Sequence, residues 1–342
     1  MANNKKQLGQ FYTTNSDYIL SGLELPDKKN HVVEPFVGDG DLIKWLKAHH
    51  QERLGSLKTY DIDPSIGDGV IIQDTLRTPP YYKDKFVITN PPFLARNKNK
   101  DKTLYDLHDT NDLYKAFLKT IIEGDVEGGI IILPLNFLCS NDNKIRNMFF
   151  EKYHITSLNI FEEAVFDDTT YTVCSLSFFR GPQTKTVPTN IYPSKKRIDL
   201  DLKKEWGWRP AGYLYEVPRN GNYTISRLVK GDIPKGYITN LYLRAVDSGG
   251  NDKRIALVVK DEPYYGKNTD RVFATLVCNH KINNEQLVAE QFNKRLEDLR
   301  EEHHSLFLIN YRNSSSSYAR KRISFRMAYN MVANILEELE ST

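Results

Sequence analysis

Val32–Leu42 reads VVEPFVGDGDL. Two β-branched residues begin a buried strand, Pro35 ends it, two glycines turn the chain, and DLIKWLKAHH continues with helical apolar spacing. Glycines in such a turn let the backbone approach a ligand without Cβ clashes. The spacing is not that of a dinucleotide fingerprint, and no Lys-Ser/Thr follows as in a phosphate-binding loop. The ligand expected here is therefore not gripped through phosphates. Strand, glycine turn and helix open an alternation that runs through half the chain: LKTYDI, VIIQ, KFVITN, DLYKAFLKTIIEG, GGIIILPL, TVCSLSFF. Apolar runs alternating with helices predict an α/β fold, a doubly wound and mostly parallel sheet.

In such sheets ligands sit at the carboxyl ends of the strands, so the residues just past each strand matter most. After the second strand comes Tyr60-Asp61-Ile62-Asp63-Pro64, a carboxylate where doubly wound folds hold a ribose diol. After the third comes Gln73-Asp74-Thr75, an acid able to accept from an exocyclic amine. Each alone reads as an ordinary turn acid; together they imply a nucleoside ligand. The fourth strand runs into Asn90-Pro91-Pro92-Phe93, where prolines must end the ladder and leave an amide and an aromatic ring at its tip.

The chain has 342 residues, 40% hydrophobic and 27% charged, which is ordinary for a globular protein of two domains. No run approaches a membrane span, and the N-terminal lysines precede no apolar signal region, so a cytoplasmic location without membrane contact is expected. Cys139, Cys174 and Cys278 are odd in number and set among apolar residues, which predicts core thiols rather than disulfides. The neighbouring pairs His49-His50 and His303-His304 diverge, and no metal site is expected. Net charge is only +3, yet Thr184–Lys235 holds 11 Lys or Arg against 5 Asp or Glu. Tyr311–Arg326 carries Arg312, Arg320, Lys321, Arg322 and Arg326 with no acid. Two basic clusters in one half suggest a polyanionic partner, although either alone reads as a solvated face.

The order GQFYT (Gly9–Thr13), EPFVGDGDL (Glu34–Leu42), Asp61, Asp74, NPPF (Asn90–Phe93), DLYKAFL (Asp112–Leu118), GGIIILPLNFL (Gly128–Leu138) and VFDDTTYTVCSLSFF (Val165–Phe179) resembles the gamma-arranged DNA adenine-N6 methyltransferases of restriction-modification systems. The resemblance spans roughly residues 7–180. It implies a seven-stranded methyltransferase sheet with S-adenosylmethionine as cofactor. By the same resemblance Tyr12 and Thr13 lie at the cofactor's methionine end, and Glu34, Pro35, Phe36 and Gly38 form the first turn. Asp61 and Ile62 would meet the ribose, Asp74 the adenine amine, and Phe117 the adenine ring, with Asn90 also reaching the cofactor. Thr75 departs from the family, which often has an aromatic there. Asn90 and the Pro91 carbonyl would accept the two N–H bonds of a target amine, Pro92 would stiffen the turn, and Phe93 and Phe166 would stack a base flipped from duplex DNA.

Residues 1–184 are accordingly expected to be the catalytic domain and 185–342 a smaller mixed α+β target-recognition domain. DNA contacts are expected from Arg312, Arg320, Lys321, Arg322 and Arg326, and from Lys98 and Lys100 in a mobile loop over Leu94–Asn111. The implied partners are double-stranded DNA, bound by a monomer, and a restriction endonuclease acting separately. Transfer to RNA adenine or to a protein glutamine amide uses a similar planar amine, and a non-catalytic nucleic-acid-binding protein with this fold is a further alternative.

Overall fold

The computed structural model describes residues 13–166, 171–183, 186–215, 221–248, 254–311 and 320–341. The chain divides into two units, Met1–Leu138 with Asp142–Trp208, and Cys139–Asn141 with Arg209–Thr342.

The first unit is built on a nine-stranded sheet. Its strands are β1 (Asn30–Glu34), β2 (Leu54–Asp61), β3 (Ile71–Ile72), β4 (Phe86–Thr89), β5 (Gly128–Pro134), β6 (Tyr153–Phe161), β7 (Val173–Arg180), β8 (Val187–Tyr192) and β9 (Lys196–Leu200). The spatial order is β3-β2-β1-β4-β5-β7-β6-β8-β9. Strands β1 to β5 pair in parallel, and β7 lies antiparallel between β5 and β6. The first seven strands form the expected doubly wound sheet; β8 and β9 add a hairpin to it, with β8 parallel to β6. Because that hairpin pairs with the sheet, the division falls at Trp208/Arg209, beyond the boundary expected near residue 184.

Local chemistry accounts for the central strands. All seven residues of β5 are buried, as an inner parallel strand covered on both faces requires. A Cβ on Gly129 would meet the Phe178 ring at 2.5 Å, so the glycine permits the close approach of β7. Helices α1 (Asp41–His50), α2 (Thr103–His108), α3 (Leu113–Glu123) and α4 (Lys144–Lys152) follow β1, β4 and β5. α3 buries most of its circumference, Phe117 included, and so belongs to the interior. The chain order reverses between β1 and β4, which are paired neighbours. That is the switch point where an open α/β sheet leaves a crevice.

The second unit is mixed α+β, as expected. It holds an antiparallel sheet ordered β10 (Ile225–Arg227), β13 (Phe273–Cys278), β11 (Tyr237–Arg244) and β12 (Ala256–Val259), and a hairpin of β14 (Ile309–Tyr311) and β15 (Arg320–Arg322). Helices α5 (Glu285–Glu302) and α6 (Phe325–Glu340) share one apolar cluster with it, including Leu241, Leu243, Leu257, Phe292, Leu296, Val332 and Ile335. Asn284 and Ser324 cap the helices, accepting from Leu287 N at 3.0 Å and Met327 N at 3.2 Å. The three cysteines are buried. Among the described residues no helix is long and apolar enough to cross a membrane.

Candidate active site

A cavity of about 500 Å³ opens at the carboxyl ends of β1, β2 and β4. Thr13, Phe36, Gly38, Asp61, Ile62, Asp74, Asn90 and Pro92, nominated from the sequence for the cofactor or the target amine, line it, and so does Lys100, nominated as a DNA contact. Tyr12, expected beside Thr13, lies outside the described residues.

The first turn is held from below. Gly38 takes a left-handed φ of 52°, which its missing side chain makes easy, and its N–H donates to Asp61 Oδ2 at 2.9 Å. Asp61 Oδ1 accepts from Asp63 N at 2.9 Å. A carboxylate has about four acceptor positions, so these two bonds orient Asp61 and leave capacity for a diol. Asp74 is more heavily engaged: Oδ1 accepts from Leu76 N at 3.1 Å and Arg77 N at 3.2 Å, and Oδ2 pairs with Arg77 Nε at 3.2 Å.

Three contacts fix the Asn90–Phe93 segment. Before it, Thr89 Oγ1 donates to Glu34 Oε1 at 2.8 Å, which also accepts from Phe36 N at 2.9 Å. Within it, Asn90 Nδ2 donates to Thr13 Oγ1 at 3.2 Å, which anchors one end of the carboxamide. After it, Leu94 N donates to Asp112 Oδ1 at 3.1 Å. Burial pushes the Glu34 carboxyl up to about 8, with its hydrogen bonds from Phe36 and Thr89 opposing. Burial likewise pushes Asp112 up to about 7, against the pull of Lys115.

Several sequence-nominated residues stand elsewhere. Glu34 and Pro35 are buried under the turn, and the Pro35 carbonyl accepts from Thr75 Oγ1 at 3.1 Å. Phe117 is fully buried behind Phe36, with ring centroids 5.4 Å apart, and does not line the cavity. Phe93 is 1% exposed and Phe166 4%. The ring of Tyr171, not anticipated from the sequence, stands edge-on to Phe93 at 6.1 Å, and Tyr114 does so at 6.4 Å. Burial pushes Tyr171 up to about 12. Its place in YTVCS beside a strand was the available signal.

The stretch Leu94–Asn111, expected as a mobile loop, has its own short helix α2 and is tied down. Tyr105, fully buried, donates from its hydroxyl to Leu94 O at 2.9 Å, and Arg96 N donates to Asn111 O at 2.9 Å. Lys98 is exposed, with its amine 5.9 Å from the Tyr171 ring centre.

The basic run in the second unit also differs from expectation. Lys321 is 4% exposed and its amine donates to Asn310 Oδ1 at 3.0 Å, so this cation serves the interior. Arg320 Nε donates to Asp247 O at 2.8 Å, and Arg320 and Arg322 are both half-buried. Arg326 is exposed. Arg312 and Ser314–Ser317 lie outside the described residues.

The cavity has a sign. Asp39, Asp41, Asp61, Asp74 and Asp101 line it, against Arg77 and Lys100 as cations. Such a lining favours a ligand carrying net positive charge.

Residues 75–166 match the family described as Eco57I restriction-modification methylase. No curated protein matches the chain. Among solved structures, a Vibrio vulnificus protein described as the modification subunit of a type I restriction enzyme is 16% identical, covering 55% of this chain and 49% of that one, with a TM-score of 0.43. A type I restriction-modification methyltransferase subunit from Streptococcus thermophilus is 16% identical over 56% of this chain and 51% of that one, TM-score 0.40. A Listeria monocytogenes protein described as a class I S-adenosylmethionine-dependent methyltransferase is 13% identical over 54% and 64%, TM-score 0.41. The chain thus spans about half the length of the two type I subunits. Over residues 75–166, the segment that carries Asn90–Phe93, the chain is similar to the Eco57I restriction-modification methylases.

Proposed function

We propose that this protein is a DNA methyltransferase that uses S-adenosylmethionine to methylate N6 of an adenine flipped out of duplex DNA. The observation that carries the reading is the convergence of Asn90, Asp61, Asp74 and the Gly38 turn on one acidic cavity at the switch point. The cofactor carries a sulfonium and an ammonium against one carboxylate, so its net charge complements that lining. When bound, it supplies an electrophilic methyl group. Asp61 would hold the ribose diol, and Thr13 and Asn90 would flank the transferring group.

The chain's own work is on the acceptor nitrogen. An exocyclic adenine amine is a poor nucleophile because its lone pair is delocalised into the ring. Asn90 Oδ1 and the Pro91 carbonyl would accept its two N–H bonds, favouring the pyramidal nitrogen and aiming it for in-line attack. Thr13 anchors the other end of the Asn90 carboxamide at 3.2 Å, which keeps that acceptor in place without reorganisation. No obligatory general base is invoked. Phe93, with Tyr171 and Phe166 as further ring partners, would offset part of the few kcal/mol that unstacking costs. A base stacked on Phe93 displaces the groups that now cover it.

The second unit would supply recognition and phosphate contact, with Arg326 there and Lys98 and Lys100 in the first unit as exposed cations. A modification role beside a separate endonuclease accords with the family match. Transfer of a labelled methyl group to duplex DNA, single-stranded RNA and protein extract in parallel tests the reading. Label should enter duplex DNA as N6-methyladenine; label confined to RNA or protein would replace it.

A further inference from the structure

The end of the cavity beside Asp74 lacks an aromatic wall. Among the described residues lining the cavity, Phe36 is the aromatic ring, and Thr75 is 2% exposed with its hydroxyl bonded to Pro35 O. The planar group at this end is the Arg77 guanidinium. Its Nε lies 3.2 Å from Asp74 Oδ2, and its Nη2 lies 3.6 Å from Asp101 Oδ2. Arg77, Asp74 and Asp101 all line the cavity, and the Arg77 side chain is 47% exposed.

Two carboxylates pair with this guanidinium by charge, which limits where it can stand while nearly half of the side chain stays exposed. An arginine fixed in this way is a flat, weakly hydrated cation suited to a π-system. Ile62, 44% exposed, and Leu104 add apolar surface to the same cavity. We propose that Arg77 is a cofactor-binding residue whose guanidinium face stacks on the adenine ring of the nucleoside, with Asp74 and Asp101 as its ion-pair partners. This rests on the cofactor reading above and adds what recognises the base.

Calorimetric titration separates the parts. The probes are S-adenosylmethionine and methylthioadenosine, which keeps the nucleoside and lacks the amino-acid end. Arg77→Ala should weaken both by the same factor, about tenfold. Arg77→Lys should remain weak, because charge without a plane is not enough, and Arg77→Trp should recover most of the loss. Asp101→Asn, which weakens one ion pair, should weaken both probes by a smaller factor. Unchanged affinity in Arg77→Ala, or full recovery with Arg77→Lys, overturns the proposal. Asp61→Ala serves as the control. If it loses affinity while Arg77→Ala does not, only the stacking role fails; if the wild-type protein binds neither probe, the cofactor reading fails and this inference with it.

Discussion

Replacing Glu34 with Gln should remove a pH dependence of stability that the wild-type protein carries. Glu34 is fully buried, with Oε1 accepting from Phe36 N and Thr89 Oγ1. Its Oε2 has no hydrogen-bond partner among the described residues. A charge there would be costly, and burial pushes the folded carboxyl up to about 8. In the unfolded chain a glutamate titrates near the ordinary value of about 4.3. Between those values the folded state holds a proton that the unfolded state has released. The stability from neutral Glu34 is therefore complete below about pH 4 and is lost as pH rises towards 8, at about 1.4 kcal/mol per unit. Asp112, raised to about 7, adds a slope of the same sign in wild type and variant alike, so it cancels in the comparison. Gln keeps the acceptor oxygen for Phe36 and Thr89 and cannot ionise. Relative to wild type, Glu34→Gln should gain on the order of 4 kcal/mol across three pH units. Urea unfolding midpoints from pH 5 to 8 measure this. Parallel curves for the two proteins would show Glu34 ionised throughout and refute its neutral state.

Asp61→Ala should weaken S-adenosylmethionine binding by about 1.5–3 kcal/mol, the loss of a charge-assisted hydrogen bond, and unchanged calorimetric affinity in the folded variant would contradict its role. Lys321→Met should destabilise the second unit by about 1–3 kcal/mol, because Asn310 Oδ1 loses a buried donor. It should leave the salt dependence of DNA binding as it was; a flatter salt slope at unchanged stability would return Lys321 to the DNA interface. Phe93→Ala should cost about 3–5 kcal/mol of stability as well as base capture, whereas Phe93→Tyr should keep the stacking face and with it base capture, with thermal unfolding and single-turnover rates as readouts.

Strands β1 to β5 and β7, and the cavity, were legible because their signals are local. A proline-ended apolar strand, a glycine turn and an acid at a strand tip declare themselves within a few residues. What escaped depends on distant partners. β6 was missed because its polar residues break the apolar run; Asn159 is fully buried and its amide donates to Ser21 O at 2.9 Å, 138 positions away. Thr13 reads as a cofactor residue in sequence, yet its hydroxyl also anchors Asn90, 77 positions on. The cationic run at Arg320–Arg322 reads as a surface patch, and only the pairing of β14 with β15 places Lys321 over Asn310. Leu94–Asn111 reads as a polar loop because the contacts that tie it down, such as the buried Tyr105 hydroxyl on Leu94 O, join residues apart in the stretch.

The most direct test is single-turnover methylation of duplex DNA by wild type and Asn90→Ala, with the modified base identified and both affinities measured. The Asn90 acceptor acts chiefly as the nitrogen pyramidalises, so its loss falls on the transition state. Wild type should form N6-methyladenine, and Asn90→Ala should be slower by at least about a hundredfold with nearly unchanged binding of cofactor and DNA. A wild-type rate in Asn90→Ala, or a methyl group on another atom, would reduce Asn90–Phe93 to a rigid turn and contradict the proposed chemistry.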